Sequence, residues 1–275
     1  MKTQTKPSAE PAARVVLVTG GTQGIGRAIA EAFLAAGDRV VACARNEPTS
    51  LPAAGAAQAR FVACDVREAE ALRALVAGIV AQEGRLDVLV CNAGGSPSVD
   101  AATVSPRFHE GVLRLNFLSA LHAAQAANAT MQQQPQGGVI IFIGSISGLR
   151  PSPGTAAYGA AKAALISLAG SLAVEWAPRV RVVAVSPGLV RTEKSGLHYG
   201  DEASIAAVAA TIPAGRLADP ADVAQACLWV SSPQASYLNG TNLLLHGGGE
   251  TPAFLAAAAA GAAAGAGAAK GAVGG

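Results

Sequence analysis

A glycine-rich segment directly follows a short run of β-branched residues near the start of the chain. Residues 14–18 are rich in valine and predict a strand, and residues 19–26 read T-G-G-T-Q-G-I-G. An alanine-rich stretch through Ala36 then predicts a helix. Glycines let the backbone approach a pyrophosphate, and the helix N-terminus offers it free N–H groups. Strand, glycine turn and helix in this order predict a phosphate-binding unit.

Strand-like and helix-like segments alternate along the rest of the chain as far as about residue 250. Further strands are predicted at residues 39–44, 61–64, 86–91, 139–143, 180–185 and 242–245. Helices are predicted at residues 67–82, 105–131, 158–176 and 220–231. This alternation implies an α/β fold with a Rossmann-like doubly wound parallel sheet of about seven strands and helices on both faces. Ligands of such sheets bind outside the carboxyl ends of the strands, where the polar clusters of this chain lie.

Composition supports one large globular domain and excludes some classes of partner. The chain has 275 residues, of which 51% are hydrophobic and 14% charged, and this suits a domain with a sizeable core. A net charge of +2 gives no sign of a nucleic-acid partner. The four cysteines lack metal-ligand spacing, so no metal site is predicted. No signal peptide is evident, and a cytoplasmic location is expected.

Three segments flank or interrupt the predicted domain at residues 14–250. Residues 1–13, with Pro7 and Pro11, are expected to be a flexible lead-in. Residues 189–212 have few strand signals and mixed polarity, which favours a mobile lid over a pocket. Residues 251–275 form a tail of mostly alanine and glycine. Because these residues gain little in lipid, a frayed or disordered tail is favoured over a membrane anchor.

Residues 145–162 bring a hydroxyl, a phenol and an amine into one stretch. Tyr158 and Lys162 are four residues apart on a predicted helix, so both side chains lie on one face. Ser145 follows the predicted strand at residues 139–143. A phenol has a pKa near ~10 and is a poor base at neutral pH unless a cation such as Lys162 stabilises the phenolate. On its own, Y-x-x-x-K is also compatible with an ordinary helix-face tyrosine and a solvated lysine.

The end of the second predicted strand bears on the choice of dinucleotide. An acidic residue there binds the 2′-hydroxyl of the adenosine ribose, whereas an arginine accommodates a 2′-phosphate. This chain has no acid at that point, and Ala44 is followed by Arg45. The pattern favours NADP(H) over NAD(H), the alternative being an arginine solvated at a loop entrance. Prolines and glycine in residues 46–60 argue against a full helix in the next connection.

Together these motifs make residues 13–250 resemble the short-chain dehydrogenase/reductase family in its shorter, single-domain form. The matching motifs, in order, are T-G-x-x-x-G-x-G (Thr19, Gly20, Gly24, Gly26), Asp65, N-A-G (Asn92, Ala93, Gly94), Asn116, Ser145, Y-x-x-x-K (Tyr158, Lys162) and P-G-x-V-x-T (Pro187, Gly188, Val190, Thr192). The glycine spacing favours oxidoreduction over sugar epimerisation, which is typical of the extended branch of the family.

The resemblance implies a role for each of these residues. Tyr158 would be the general acid/base, and Lys162 would lower its pKa and bond the nicotinamide ribose. Ser145 would hold the substrate oxygen, and Asn116 would support a water relay. The cofactor contacts it implies are Thr19, Gly20, Gln23, Gly24, Ile25 and Gly26 at the pyrophosphate, Arg45 at the 2′-phosphate, Asp65 and Val66 at the adenine, Asn92, Ala93 and Gly94 at the ribose, and Pro187, Gly188, Val190 and Thr192 at the nicotinamide. Gln23 stands where many NADP-preferring members carry a basic residue.

The sequence therefore predicts an NADP(H)-dependent oxidoreductase that interconverts a ketone and a secondary alcohol. Its partner would be a small-molecule substrate, with no nucleic acid and no membrane, and the resemblance implies a homo-oligomer, either a tetramer or a dimer. The alternatives are an NAD(H)-preferring member, a non-catalytic dinucleotide-binding regulatory protein and a membrane-tethered form of the same enzyme. A 3-oxoacyl thioester, a steroid-like ketone and a small cyclic ketone are equally compatible as substrates.

Overall fold

In the computed structural model, which describes residues 13–255 and 258, seven parallel strands form one sheet. Its strands are β1 Val15–Thr19, β2 Arg39–Ala44, β5 Arg60–Ala63, β6 Val88–Cys91, β7 Gly138–Ile143, β8 Val180–Pro187 and β9 Asn242–Leu245. Their order across the sheet is β5-β2-β1-β6-β7-β8-β9. A separate antiparallel hairpin of β3 Ala53–Ala54 and β4 Ala57–Gln58 lies in the connection after β2. The predicted doubly wound parallel sheet is confirmed.

Helices cover both faces of the sheet. They are α1 Gly24–Ala35, α2 Ala69–Glu83, α3 Pro106–Leu113, α4 Ser119–Met131, α5 Ala156–Trp176, α6 Ser195–Tyr199, α7 Glu202–Ala210 and α8 Pro220–Val230. Helices α1 and α8 pack together on one face, while α2, α4 and α5 lie on the other. Because each sheet face is covered, the strands read as nearly continuous apolar runs.

The two faces bury alternate residues of the same strands. In β1, Val16 and Val18 belong to the core beneath α1 and α8, where Phe33 is fully buried. Leu17 points to the opposite core and shares it with Leu165 of α5. Helix α5 is long and apolar enough to cross a membrane by length and composition. Its place against the sheet identifies it as a core helix of this fold.

The helix predicted over residues 105–131 is interrupted. Ser105 caps its start by accepting a hydrogen bond from the Phe108 N–H (3.3 Å). The segment Arg114–Leu118 then forms a π-helical turn between α3 and α4. Asn116 lies within this turn, and the Ser119 hydroxyl after it donates to the Leu115 carbonyl (2.6 Å). Single π-helical turns inside helices are frequent at functional sites.

The predicted lid contains regular structure that its sequence did not indicate. Helices α6 and α7 occupy most of it, and Asp201 caps α7 by accepting from the Ser204 N–H (2.8 Å). Mobility of this segment stays a prediction. The predicted flexible lead-in and most of the alanine- and glycine-rich tail lie outside the described residues.

A buried glutamine joins the amino ends of β6 and β7. The Leu86 N–H donates to Oε1 of Gln134 (2.8 Å), and Nε2 of Gln134 donates to the carbonyls of Leu86 (2.9 Å) and Gly137 (2.8 Å). Gln134 is 8% exposed, so water does not replace these bonds. The sequence indicates only a polar turn here. The Gln134 side chain thus provides the hydrogen bonds that a neighbouring strand would otherwise make to Leu86 and Gly137.

Replacing this glutamine should therefore destabilise the fold. Gln134→Leu fills a similar volume but leaves buried groups of Leu86 and Gly137 unpaired, and we expect the free energy of unfolding to fall by about 3 kcal/mol. Urea denaturation followed by circular dichroism measures the loss. Gln133→Leu at the adjacent exposed position is the control and should change stability by less than about 0.5 kcal/mol. Equal effects of the two substitutions would contradict the assignment.

Candidate active site

The glycine turn after β1 is shaped by a close backbone approach. Gly20 has a φ of 63°, a value that favours glycine. A Cβ on Gly26 would collide with the Gly20 carbonyl oxygen and with the side chain of Asn92. Gln23 precedes α1 without a side-chain capping bond, so its side chain does not occupy the N–H groups of the first turn. The turn and the helix N-terminus therefore fit an anionic pyrophosphate.

Side chains at the ends of β1 and β6 hold this turn in place. The Thr19 hydroxyl accepts hydrogen bonds from the backbone N–H groups of Asn92 (3.0 Å) and Ala93 (3.1 Å). In return, Nδ2 of Asn92 donates to the carbonyls of Thr19 and Gly20, each at 3.1 Å. Thr19 is 3% exposed and lies beneath the turn. In this structure its hydroxyl supports the predicted pyrophosphate site from below.

An ion pair lies at the predicted adenosine end of the site. Asp65 follows β5 and accepts from Nε (2.9 Å) and Nη2 (2.5 Å) of Arg67. These hydrogen bonds, with help from the charge of Arg45, lower the pKa of Asp65 to about 2. Arg45 itself is exposed after the last residue of β2. Sequence reasoning overlooked Arg67, whose closeness to Asp65 in the chain was the available signal.

The π-helical turn brings Asn116 to the end of β6. Oδ1 of Asn116 accepts from the Gly95 N–H (2.7 Å), and Nδ2 donates to the carbonyls of Gly95 and Val112, each at 2.9 Å. A Cβ on Gly94 would lie 2.6 Å from this Oδ1 and 3.4 Å from Nζ of Lys162. Asn116, Gly94 and Lys162 therefore lie close together, and the water relay that the family resemblance implies for Asn116 stays a prediction.

Lys162 is a buried cation on α5. Its side chain points toward the end of β7, where Nζ donates to the Ile143 carbonyl (2.7 Å). Nζ lies 5.5 Å from the centroid of the Tyr158 ring, one helical turn away. Burial lowers the pKa of Lys162 to about 8, and Cys91 acts weakly in the opposite direction. At neutral pH most of the Lys162 side chains therefore still carry a charge.

The electrostatics of Tyr158 differ from the expectation that Lys162 lowers its pKa. In this structure burial raises the pKa of Tyr158, and the Ser145 hydroxyl is the neighbour that opposes this shift. Nζ of Lys162 lies over the Tyr158 ring and donates its hydrogen bond to the Ile143 carbonyl. Ser145 is 8% exposed and accepts from the Ser147 N–H (3.1 Å). Ser145 and Tyr158 are thus neighbours, as predicted.

The carboxyl end of β8 forms another wall of the site. Pro187 ends the strand, and the Gly188 N–H donates to the Leu245 carbonyl of β9 (2.7 Å). Val190 pairs with Ala218 in an isolated bridge. Thr192 then reaches the glycine turn, since its Cγ2 is 3.7 Å from the position of a Cβ on Gly24. The segment predicted to contact the nicotinamide therefore lies beside the predicted pyrophosphate turn.

An ion pair and a tyrosine lie beside the loop that follows Ser145. The sequence is equally compatible with Tyr199 as a substrate contact and as an exposed loop residue, whereas it gives no sign of the ion pair. Nη2 of Arg150, which follows Ser145 in this loop, donates to Oε1 of Glu250 (2.6 Å). Burial raises the pKa of Tyr199 on α6, and the charges of Tyr158, Arg150 and Glu250 also act on it. These four side chains therefore share one region. Arg150 and Glu250 are 100 residues apart, and no local pattern predicts such a pair.

Comparison with known proteins gives a consistent result. Residues 20–250 match a family model described as enoyl-(acyl carrier protein) reductase. The chain is 33% identical over 238 residues to the 3-oxoacyl-(acyl-carrier-protein) reductase FabG of Vibrio cholerae, covering 86% of this chain and 96% of that one. It is 34% identical over 243 residues to 3beta-hydroxysteroid dehydrogenase 1 of Eggerthella lenta, covering 86% and 93%. The ligand-free aldohexose dehydrogenase of Thermoplasma acidophilum superimposes with a TM-score of 0.80 at 29% identity, covering 86% and 93%.

The lowered pKa of Lys162 predicts a pH-dependent contribution to stability. The pKa is about 8 in the folded protein and about 10.4 in an unfolded chain. Between these values the unfolded state binds a proton that the folded state does not, so stability rises with pH in this window. The free energy of unfolding of the wild type, minus that of Lys162→Met, should rise by up to about 1.4 kcal/mol per pH unit.

Urea titrations from pH 7 to pH 10 on the ligand-free proteins measure this difference. Lys194→Met, at an exposed lysine in the predicted lid, is the matched control and should give a difference that does not vary with pH. A flat difference for Lys162→Met as well would show that burial does not lower the pKa of this lysine.

Proposed function

The chain belongs to the short-chain dehydrogenase/reductase family, and from that premise we propose a reaction, a cofactor preference and a role for each site residue. It is an NAD(P)-dependent oxidoreductase that acts on CH–OH groups. We propose that it interconverts a ketone and a secondary alcohol with NADP(H). The observation that carries this proposal is the meeting of Ser145, Tyr158, Lys162 and Asn116 at the carboxyl ends of β6 and β7.

The proposed chemistry uses the chain's own groups for proton transfer and orientation. The bound dinucleotide supplies or accepts the hydride at the carbonyl carbon. Ser145 donates a hydrogen bond to the substrate oxygen, and Tyr158 gives this oxygen a proton in reduction and takes it back in oxidation. Lys162 provides the positive charge that favours the phenolate once a ligand fills the site. Asn116 holds the Gly95 backbone beside Lys162, and we assign to this region the water relay that the family resemblance implies.

The proposed preference for NADP(H) rests on the charges at the end of β2. Arg45 is exposed there, and this strand end carries no acidic residue. The carboxylate of Asp65, whose pKa the charge of Arg45 helps to lower, is paired with Arg67. An exposed guanidinium can form two charge-assisted hydrogen bonds to a phosphate. We therefore assign the 2′-phosphate to Arg45.

The substrate is proposed only as a small molecule with a carbonyl or secondary alcohol. The names of the similar proteins concern a 3-oxoacyl carrier, a hydroxysteroid and an aldohexose. These substrates share a carbon that is oxidised from CH–OH or reduced from C=O, and little else. The Arg150–Glu250 pair and Tyr199 are the polar groups near Tyr158 through which this chain would distinguish among such molecules.

A cytoplasmic homo-oligomer, either a tetramer or a dimer, completes the proposal. Large apolar side chains support it, because they are exposed on α5, on α8 and at the β9 edge. Val174 is 82% exposed, Trp229 is 47% exposed and Leu244 is 37% exposed. Burial of these side chains between subunits would remove their apolar surface from water.

The role of Tyr158 is tested by removing its hydroxyl alone. Tyr158→Phe keeps the ring but lacks the proton, so turnover should fall by at least about 10²-fold. Binding of NADPH, measured by fluorescence titration, should change less than about threefold because the dinucleotide site is otherwise intact. Tyr237→Phe, at a fully exposed tyrosine, should have wild-type turnover. Turnover is measured on a panel of ketones and alcohols. If Tyr158→Phe turns over near the wild-type level, the assignment of Tyr158 as the acid/base is wrong.

The cofactor preference is tested by removing the guanidinium of Arg45. Arg45→Ala should weaken NADPH binding by about tenfold or more, since a hydrogen bond to a charged group contributes about 1.5–3 kcal/mol. NADH binding should change by less than about twofold, because NADH lacks the 2′-phosphate. Arg107→Ala, at an exposed arginine on α3, is the control for a change in net charge. Equal weakening of both dinucleotides by Arg45→Ala would refute the preference.

A further inference from the structure

A cleft opens at the amino ends of the strands, at the opposite end of the sheet from the candidate active site. This basal cleft has a volume of about 420 Å³ and lies at the amino ends of β1, β6, β7 and β8. Its charged lining consists of Arg14, Arg85, Arg179, Arg181 and Asp87. Polar groups of Gln136, Ser231, Ser232 and Ser236 complete it. Its volume lies within the roughly 300–1,000 Å³ that is usual for small-molecule sites.

Two of these arginines are neutralised by carboxylates. Arg14 pairs with Asp38 through Nη2 and Oδ2 (2.6 Å), and it also donates to the Ser231 carbonyl (3.1 Å). Arg85 forms a two-pronged pair with Asp87 (2.5 and 2.8 Å). Asp87 in turn accepts from the Val15 N–H (2.8 Å). These pairs tie the amino ends of β1 and β6 together, so a structural role accounts for them.

Among the described residues, the partners of the other two arginines are carbonyls. Nη1 of Arg179 donates to the Gln134 carbonyl (2.9 Å). Arg181 donates to the carbonyls of Leu238 (2.9 Å) and Val230 (2.8 Å). Within residues 13–255 and 258, neither forms an ion pair with a carboxylate. A carbonyl satisfies an N–H group but leaves the positive charge uncompensated, and burial lowers the pKa of Arg181 accordingly.

The proposed reaction gives no role to the positive charges of Arg179 and Arg181. Ligands of parallel sheets bind at the carboxyl ends of the strands, so the dinucleotide and the substrate lie at the opposite end of the strands from the basal cleft. One structural explanation remains, because cations near the C-terminus of a helix are stabilising and Val230 ends α8. This explanation accounts for Arg181 only. It does not account for Arg179, whose exposed side chain contacts a turn between α4 and β7.

We propose that the basal cleft binds a phosphorylated small molecule through Arg179 and Arg181. A guanidinium offers parallel N–H groups that match the oxygens of a phosphate. Two guanidiniums without a carboxylate partner, one directly before β8 and one within it, suit a group with two negative charges. The serine hydroxyls and the amide of Gln136 provide contacts for a polar body attached to the phosphate. This site is separate from the dinucleotide site and does not depend on the proposed reaction.

Calorimetric titration with inorganic pyrophosphate tests the proposal. The dinucleotide site is first filled with whichever of NADP⁺ and NAD⁺ binds more tightly, so that the glycine turn cannot take up the probe. At constant ionic strength we expect saturable binding of about one pyrophosphate per chain. Arg179→Met and Arg181→Met should each weaken it by about tenfold. Arg107→Met, at an exposed arginine on α3, removes the same charge elsewhere and should leave binding unchanged.

Each outcome decides for or against the basal cleft. Absence of saturable binding, or binding that survives both substitutions, overturns the proposal. Malonate that binds as tightly as pyrophosphate would show a general anion site and overturn the phosphate assignment. Urea denaturation of each variant identifies any loss of folding. If Arg181→Met is unstable because two carbonyls lose their donor, Arg179→Met and Arg179→Glu decide, since Arg179 makes one exposed contact.

Discussion

A buried ammonium group is costly unless its protons find acceptors, and only 3% of the Lys162 surface is exposed. Its acceptor is the carbonyl of Ile143, the last residue of β7, so α5 must lie at a fixed height above the sheet. The close approach of Gly94 to both Nζ and Asn116 then sets where the chain leaves β6. Asn116, which donates to the Gly95 carbonyl, lies in the π-helical turn. The contacts of Lys162 and Gly94 thus connect a helix, two strand ends and this turn.

The sequence predicted the parts of the fold that depend on local pattern. Strand β9 was predicted with the bounds that it has, because a short apolar run stands between glycines and polar residues. Residues 46–60 were also predicted correctly as lacking a helix, since proline and glycine act on their own neighbours. The same reasoning identified Tyr158 and Lys162, whose four-residue spacing is a property of one helix.

Features that depend on distant segments could not be predicted in this way. The π-helical turn at Asn116 depends on the backbone of Gly95, and Gln134 acts on Leu86 across the sheet. The upward shift of the Tyr158 pKa depends on burial by elements that are far apart in sequence. A motif identified Asn116 and Tyr158, whereas no motif indicated Gln134, and the environment of all three required the assembled fold. Membership of a family supplies the reaction class, but the substrate depends on this kind of long-range environment.

The Arg150–Glu250 pair makes the loop that follows Ser145 depend on the path of the chain after its last strand. Near Glu250, the Thr251 N–H also donates to the Thr211 carbonyl (2.8 Å), so this path is fastened on two sides. For protein engineering, the chain after β9 is therefore not a neutral attachment site. A fusion partner or an immobilising surface attached there would act on a segment that is bonded to the loop after Ser145, whereas the amino end of β1 lies at the opposite end of the strands from that loop.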